Sequence, residues 1–138
     1  MQRWAFVVST ACLLAAAAGW AAEKAKLPPM KDVPKDMRVY YVCFLVAGPK
    51  FAPDSPDHAA LRAKHLAFIR KMVSEKKLRL AGPFADEGKL FGISIVDASS
   101  AEEARALVEQ DPAMQAGFFA HEIHPVMLPN LESLRVRY

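Results

Sequence analysis

One histidine interrupts an apolar helical stripe in the segment KHLAFIRKMV (64–73). At roughly 100° per residue, His65 falls near the middle of a sector that also holds four apolar residues: Leu61, Phe68, Ile69 and Met72. Such a stripe is expected to pack on a core. An inward imidazole can act as a general acid or base near neutral pH. Alternatively it only bonds to a backbone carbonyl or a water, since an unsatisfied buried polar group costs about 1–3 kcal/mol.

A carboxylate beside the imidazole favours the catalytic interpretation, because it fixes the tautomer and supports a general base. Asp111, in the segment EQDPAMQAG, is the candidate. Its position also has a local explanation, since Asp-Pro can form the N-cap and first residue of a short turn that closes at Gly117. The spacing does not choose between capping and catalysis, and one residue can serve both.

Three further residues are weaker candidates for ligand binding at the same site. His58 precedes His65 by seven residues, two helical turns or roughly 10 Å, so it can line the same groove but cannot share a metal ion with it. Gly82 and Pro83 most simply form a turn, although their backbone can approach a ligand beside His65.

The segment HEIH (121–124) resembles a pair of zinc ligands. On a strand, however, residues three apart point to opposite faces, so His121 and His124 cannot hold one ion. The sequence also has no G-x-G-x-x-G, P-loop or G-x-S-x-G motif. We therefore expect no metal, no other cofactor and no serine-hydrolase chemistry.

The first 22 residues have the layout of a secretory signal peptide, with Arg3 followed by an uncharged apolar run and small residues. A retained membrane anchor is the alternative, but the run is short and rich in alanine. Residues 23–37 are charged and contain three prolines, which predicts a flexible tether. The folded domain is then residues 38–138, in the periplasm or outside the cell, with no stable membrane span once the leader is removed.

The charge of the chain argues against a nucleic-acid partner. It has 18 basic and 15 acidic residues, and removal of the leader takes away only Arg3, which leaves a net charge of +2. A nucleic-acid surface would concentrate many more cations. The leader also takes Cys12, so Cys43 in the apolar run YYVCFLV has no disulfide partner and is expected to be a buried, inert thiol.

The elements that must position these side chains alternate as β-α-β-β-α-β. Strands are expected at 38–47, 78–83, 89–97 and 118–128, with Gly92 at a bulge or a close approach. This order predicts an α+β, ferredoxin-like domain with both helices on one face of an antiparallel sheet.

Capping residues and charges mark the two helices. The first is expected to begin after Ser55 or Asp57 and to reach about Lys76. The second opens at Ser99 or Ser100, which stand in capping-box spacing to two glutamates. Four basic residues lie away from the apolar stripe of the first helix and are interpreted as its solvated face: Arg62, Lys64, Arg70 and Lys71.

The first strand is apolar on both of its faces. Tyr41, Cys43 and Leu45 alternate with a second set that points the other way: Tyr40, Val42, Phe44 and Val46. Helices cover only one sheet face in this arrangement, and large exposed apolar patches usually mark partner surfaces. We therefore predict a homodimer in which two sheets pack face to face.

Several segments together resemble the YCII-related (YciI-like) family, over roughly residues 38–129. The matching segments are His65-Leu66 on a helix, Ala81-Gly82-Pro83, EEARAL in the second helix, and the run from Asp111 to Gly117. The resemblance implies a dimeric α+β barrel of ferredoxin-like protomers. It also implies an active site built from a histidine and an aspartate, which here match His65 and Asp111.

The resulting hypothesis is an exported homodimer that binds a small, cyclic or aromatic organic molecule. His65 would act as general acid or base and Asp111 would orient it, in a cofactor-free proton transfer such as elimination or isomerisation. The alternative is a non-catalytic dimeric module of the cell envelope that binds a ligand or partner, with His65 only a core residue.

Overall fold

The computed structural model describes residues 32–137, so the predicted leader and most of the predicted tether lie outside the described residues. Four strands and three helices follow one another in the order β-α-β-β-α-α-β. They are β1 (Met37–Ala47), α1 (His58–Ser74), β2 (Leu78–Pro83), β3 (Leu90–Val96), α2 (Ala101–Val108), α3 (Pro112–Gln115) and β4 (Phe119–Pro129). The predicted α+β, ferredoxin-like class is confirmed, with α3 as a short addition before the last strand.

The sheet is antiparallel throughout, with strand order β2-β3-β1-β4. Between β1 and β3 the register shifts where Leu45 faces Gly92 and Val46 faces Leu90, so one extra residue of β3 forms a bulge there. A Cβ on Gly92 would lie 3.0 Å from the carbonyl oxygen of Gly82. The bulge and the close approach predicted at this glycine are both present.

The main core lies between the sheet and the two longer helices. Tyr41 and Cys43 of β1 pack there against Met72 of α1 and against the buried residues of α2. The α2 residues are Ala104, Leu107 and Val108. The helical stripe on α1 therefore faces the sheet, as its spacing predicted.

Local capping explains where α2 begins. Ser100 is the N-cap, and its hydroxyl accepts a hydrogen bond from the Glu103 backbone N–H at 3.1 Å. The Glu103 carboxylate in turn accepts from the backbone N–H of Ser99 at 2.7 Å. Helix α1 differs, because Asp57 occupies its N-cap position without a side-chain capping bond.

The other face of the sheet is apolar and only partly covered. Tyr40 is fully buried, and its hydroxyl accepts a hydrogen bond from the Leu131 backbone N–H at 2.9 Å. Val42, Phe44 and Val46 are only half-buried. We refer to this surface, the β1 side chains of Val42, Phe44 and Val46 with their β3 neighbours, as the outer face.

No helix among residues 32–137 is both long enough and apolar enough to cross a membrane.

Candidate functional site

The structure brings His65 and Asp111 into direct contact. Nδ1 of His65 hydrogen-bonds to Oδ2 of Asp111, although the two residues are 46 positions apart in the sequence. The Asp111 side chain is 2% exposed and the His65 side chain is 15% exposed. A carboxylate only accepts hydrogen bonds, so Nδ1 carries the proton, and Nε2, on the other side of the ring, is left for a bound molecule.

Helix α3 fixes the position of Asp111. Asp111 is the N-cap of this helix and Pro112 its first residue, and Oδ1 accepts from the Ala113 backbone N–H at 2.9 Å. The turn closes at Gly117, whose φ of +73° lies in the left-handed region that favours glycine. One carboxylate oxygen thus caps the turn, as the Asp-Pro segment predicted, and the other contacts His65.

Helix α1 and an aromatic neighbour fix the position of His65. The ring meets Phe119 edge-on, with centroids 5.4 Å apart and an interplanar angle of 67°. Phe119 is itself 9% exposed and belongs to a second apolar cluster. The imidazole is therefore held between this ring and the Asp111 carboxylate.

Both residues line a cavity of about 430 Å³ between α1 and the sheet. Its walls are mainly apolar, with contributions from β1, β2, β3, α3 and the loop after β1. The lining side chains that carry polar atoms are His58, Arg62, His65, Ser94, Asp111 and Cys43. The arrangement suits a small organic molecule whose reactive atom approaches the imidazole.

The weaker candidates from the sequence also lie on this cavity. His58, Gly82 and Pro83 are all lining residues. His58 Nδ1 donates to the Pro53 carbonyl oxygen, with a distance of 2.6 Å between the two atoms. A Cβ on Gly82 would meet nothing within 4 Å, so backbone and space are both open there.

Comparison with protein families identifies the domain. A sequence model of the YCII-related domain matches residues 39–126. The chain belongs to the YCII-related domain family.

One similar solved structure is a 5-chloro-2-hydroxyhydroquinone dehydrochlorinase (TftG) from Burkholderia phenoliruptrix AC1100, in complex with 2,5-dihydroxybenzoquinone. It shares 22% sequence identity with this chain, covers 64% of this chain and 90% of its own, and superposes with a TM-score of 0.45. No curated protein was found to match the chain.

Sequence reasoning missed several residues of this YCII-family cavity. Phe51, from the loop after β1, stacks on Phe91 with centroids 4.9 Å apart and also contacts Phe118 and Phe119. No periodicity marks a loop aromatic as a cavity wall. The one signal in the sequence is the length of the loop, GPKFAPDSPD (48–57), which exceeds a minimal connection.

Arg62 is exposed, as expected for the solvated face of α1, and it also lines the cavity, which the sequence interpretation did not include. It follows His58 by four residues and precedes His65 by three, which are the spacings of neighbours on a helix surface. The sequence carries this signal, because the spacing from His65 places Arg62 beside the apolar stripe of α1.

Cys43 lines the cavity, but its thiol is in an environment that disfavours the reactive thiolate. Burial raises the pKa of its thiol to about 11; the hydrogen bond with Ser94 opposes this rise and the Asp111 charge adds to it. Reactive cysteines instead have a lowered pKa. The expected inert thiol is consistent with this environment.

The two histidines of the HEIH segment lie apart. His121 pairs with Leu45, whereas His124 contacts the Phe44 ring with centroids 6.1 Å apart. Residues 32–137 contain no group of three or more His, Cys, Asp or Glu side chains placed to hold a metal ion.

Proposed function

We propose that this YCII-family domain binds a small, largely apolar organic molecule in the cavity and transfers a proton to or from it through His65. The observation that carries the proposal is the His65–Asp111 hydrogen bond at the wall of a cavity of about 430 Å³. The reaction class is a cofactor-free elimination or isomerisation.

The binding step follows from the lining. Apolar walls with a few convergent polar groups are typical of small-molecule sites. The rings of Phe51, Phe91 and Phe119 pack against one another at this cavity and offer aromatic surface to a flat ligand. A cyclic or aromatic molecule fits such a surface better than a long flexible one.

The chemical step uses Nε2 of His65 as the base. Because Asp111 accepts the Nδ1 proton, Nε2 presents its lone pair to an acidic C–H of the ligand. In an elimination, that C–H pair becomes the new C=C bond and the leaving group departs with its own bonding pair. In an isomerisation, the same proton returns to a different carbon. The Asp111 charge stabilises the imidazolium that forms in between.

Two features of the chain complete the proposal. Residues 1–22 direct it to the periplasm or out of the cell and are removed, which N-terminal sequencing of the exported protein tests. Two copies pair through their outer faces, as the family resemblance implies.

The test of the chemistry is His65→Gln, with His124→Gln as the matched control because His124 is exposed and lies away from the cavity. Hydroxylated aromatics and cyclic enones serve as probes. Binding is followed by NMR on the histidine ring protons, and proton transfer by deuterium uptake from D2O into the enones. We expect the wild type and the control to catalyse exchange, and His65→Gln to lose at least about a hundredfold.

The outcomes separate the two classes of function. A His65 ring whose NMR signals shift when a probe is added supports the enzyme. Unchanged exchange in His65→Gln rules out His65 as the base. If the His65 ring signals respond to no probe, the non-catalytic module of the cell envelope is the remaining interpretation.

A further inference from the structure

The two charged side chains that line the cavity, Asp111 and Arg62, differ in whether they are available to a ligand. Asp111 uses both carboxylate oxygens within the fold, one toward His65 and one toward Ala113. Arg62 is exposed, and no carboxylate of residues 32–137 forms an ion pair with it. The charge that the described lining offers to a ligand is therefore a guanidinium.

Arg62 lies close to His65, whose Nε2 is the proposed base, on the surface of α1. It precedes His65 by three residues on α1, so their Cβ atoms are neighbours about 5–6 Å apart. Both side chains line the same cavity, so one ligand in it can contact the guanidinium and the imidazole.

We infer that the cavity selects an unsaturated or aromatic carboxylate, whose carboxylate group pairs with Arg62 while its ring lies on the phenylalanine cluster. This inference rests on the proposed function, because it names the substrate class of the same cavity. The planar guanidinium fork matches a carboxylate with two parallel hydrogen bonds. With a neutral ligand, the N–H groups of the guanidinium would donate to water and not to a carboxylate.

His58 adds a complementary polar contact. Its Nδ1 donates to Pro53, so the neutral ring has its lone pair on Nε2. That nitrogen accepts from a hydroxyl of the ligand. A hydroxyl-bearing ring carboxylate therefore uses both His58 and Arg62, the polar cavity-lining side chains that precede His65 on α1.

The experiment compares carboxylates with their amides of the same shape. The probes are benzoate and benzamide, cinnamate and cinnamamide, and 3-hydroxybenzoate and 3-hydroxybenzamide, with dissociation constants measured by NMR titration on the full chain. The variants are Arg62→Gln, Arg62→Lys and the control Arg70→Gln, which removes an exposed charge from the same helix away from the cavity.

Wild type and Arg70→Gln should bind each carboxylate about tenfold or more tightly than its amide. In Arg62→Gln the two should bind within about twofold of each other, with amide binding unchanged. Arg62→Lys should keep part of the preference, because it keeps the charge but loses the fork. Added salt should weaken the preference, since Arg62 is exposed.

The failures are distinguishable. If the amides bind as tightly as the carboxylates in wild type, or if the preference survives in Arg62→Gln, the inference is wrong and the proposed function stands. If no probe of either kind binds the wild type, the inference and the small-molecule cavity are both rejected.

Discussion

At the scale of single residues, the site depends on Asp111 doing two jobs. Its Oδ1 caps α3 through the Ala113 N–H, and its Oδ2 holds His65. With 2% of the side chain exposed, the carboxylate has little access to water. A buried charge without partners is costly, so these bonds stabilise the fold and also define the imidazole tautomer.

Replacing Asp111 by Asn separates the capping of α3 from the hydrogen bond to His65. The amide oxygen can still accept from Ala113, but the amide N–H₂ group would face Nδ1 as a donor, which favours the tautomer with the proton on Nε2. We expect the ring ¹⁵N shifts to report this tautomer and deuterium exchange to fall at least about a hundredfold. The free energy of unfolding should drop by about 1–3 kcal/mol.

Asp57→Asn is the control, since Asp57 stands at the start of α1 without a side-chain capping bond. It should change neither the tautomer nor the exchange rate. Retention of the Nδ1–H tautomer and full exchange activity in Asp111→Asn would show that Asp111 does not orient the ring.

At the scale of elements, short connections bring the cavity walls together. The loop after β1 is fixed to the start of β4, because the Gly48 N–H donates to the Phe118 carbonyl at 2.9 Å and the Lys50 N–H to the Gly117 carbonyl at 2.9 Å. A Cβ on Gly48 would lie 2.3 Å from the Gly117 oxygen, so the approach requires glycine. These hydrogen bonds hold the loop in a position where Phe51 lines the cavity.

Strand β4 also contains a buried polar group that the proposed chemistry does not use. The Nε2 atom of His121 is buried and has no hydrogen-bond partner among residues 32–137. Burial lowers the pKa of His121 and Arg105 of α2 lowers it further, whereas Glu109 of α2 opposes them. The neutral ring is therefore the form that packs between β4 and α2.

This lowered pKa gives the fold a pH dependence. Below the ordinary histidine pKa of 6.5 the unfolded chain takes up a proton before the folded one does. The contribution of His121 to stability is thus complete above this pH and decreases as the pH falls toward the folded pKa. His121→Leu should remove the decrease in stability at low pH that the protonation of His121 causes. It should also raise the free energy of unfolding at pH 8 by on the order of 1 kcal/mol, because it removes a buried polar atom without a partner.

Urea unfolding of wild type, His121→Leu and the exposed control Lys64→Leu at pH 8 and pH 5 measures the effect. The gain of His121→Leu over wild type should be larger at the lower pH. An equal gain at both pH values, or the same change in the control, would contradict the assignment to His121.

At the scale of the whole molecule, the outer face is the apolar surface that a single copy of the chain leaves only partly covered. Val42 of β1 pairs with Ile95 and His124 across the sheet, and Phe44 pairs with Ile93. Val42, Phe44 and Ile93 stay half-buried in one chain. An apolar sheet face of this kind is best covered by an equivalent sheet, so the homodimer predicted from the sequence remains our prediction.

A charge at the centre of the outer face should separate the copies. Sedimentation or light scattering should give twice the chain mass for wild type at tens of micromolar protein, as an order of magnitude. Val42→Lys should give the chain mass, because a desolvated ammonium between two apolar sheets is costly. Ala106→Lys, on the exposed side of α2, should remain a dimer. A monomeric wild type would refute the prediction.

The sequence by itself determined the elements and the inward direction of His65. Periodicities of 3.6 and 2 reveal which positions face a core, and Asp-Pro before Gly117 marks a capped turn, because these signals act within a few residues. The family resemblance then paired His65 with Asp111 across 46 positions.

Only the tertiary structure decided what surrounds that pair. The cavity, the entry of Phe51 and the place of Arg62 at its wall depend on how the loop after β1, the three helices and the four strands meet. Such contacts join residues far apart in the chain, and a side chain's own sequence neighbourhood does not encode them. For Arg62 the tertiary structure adds to the interpretation, because a cation exposed on the helix surface also borders the cavity once the opposing strands are in place.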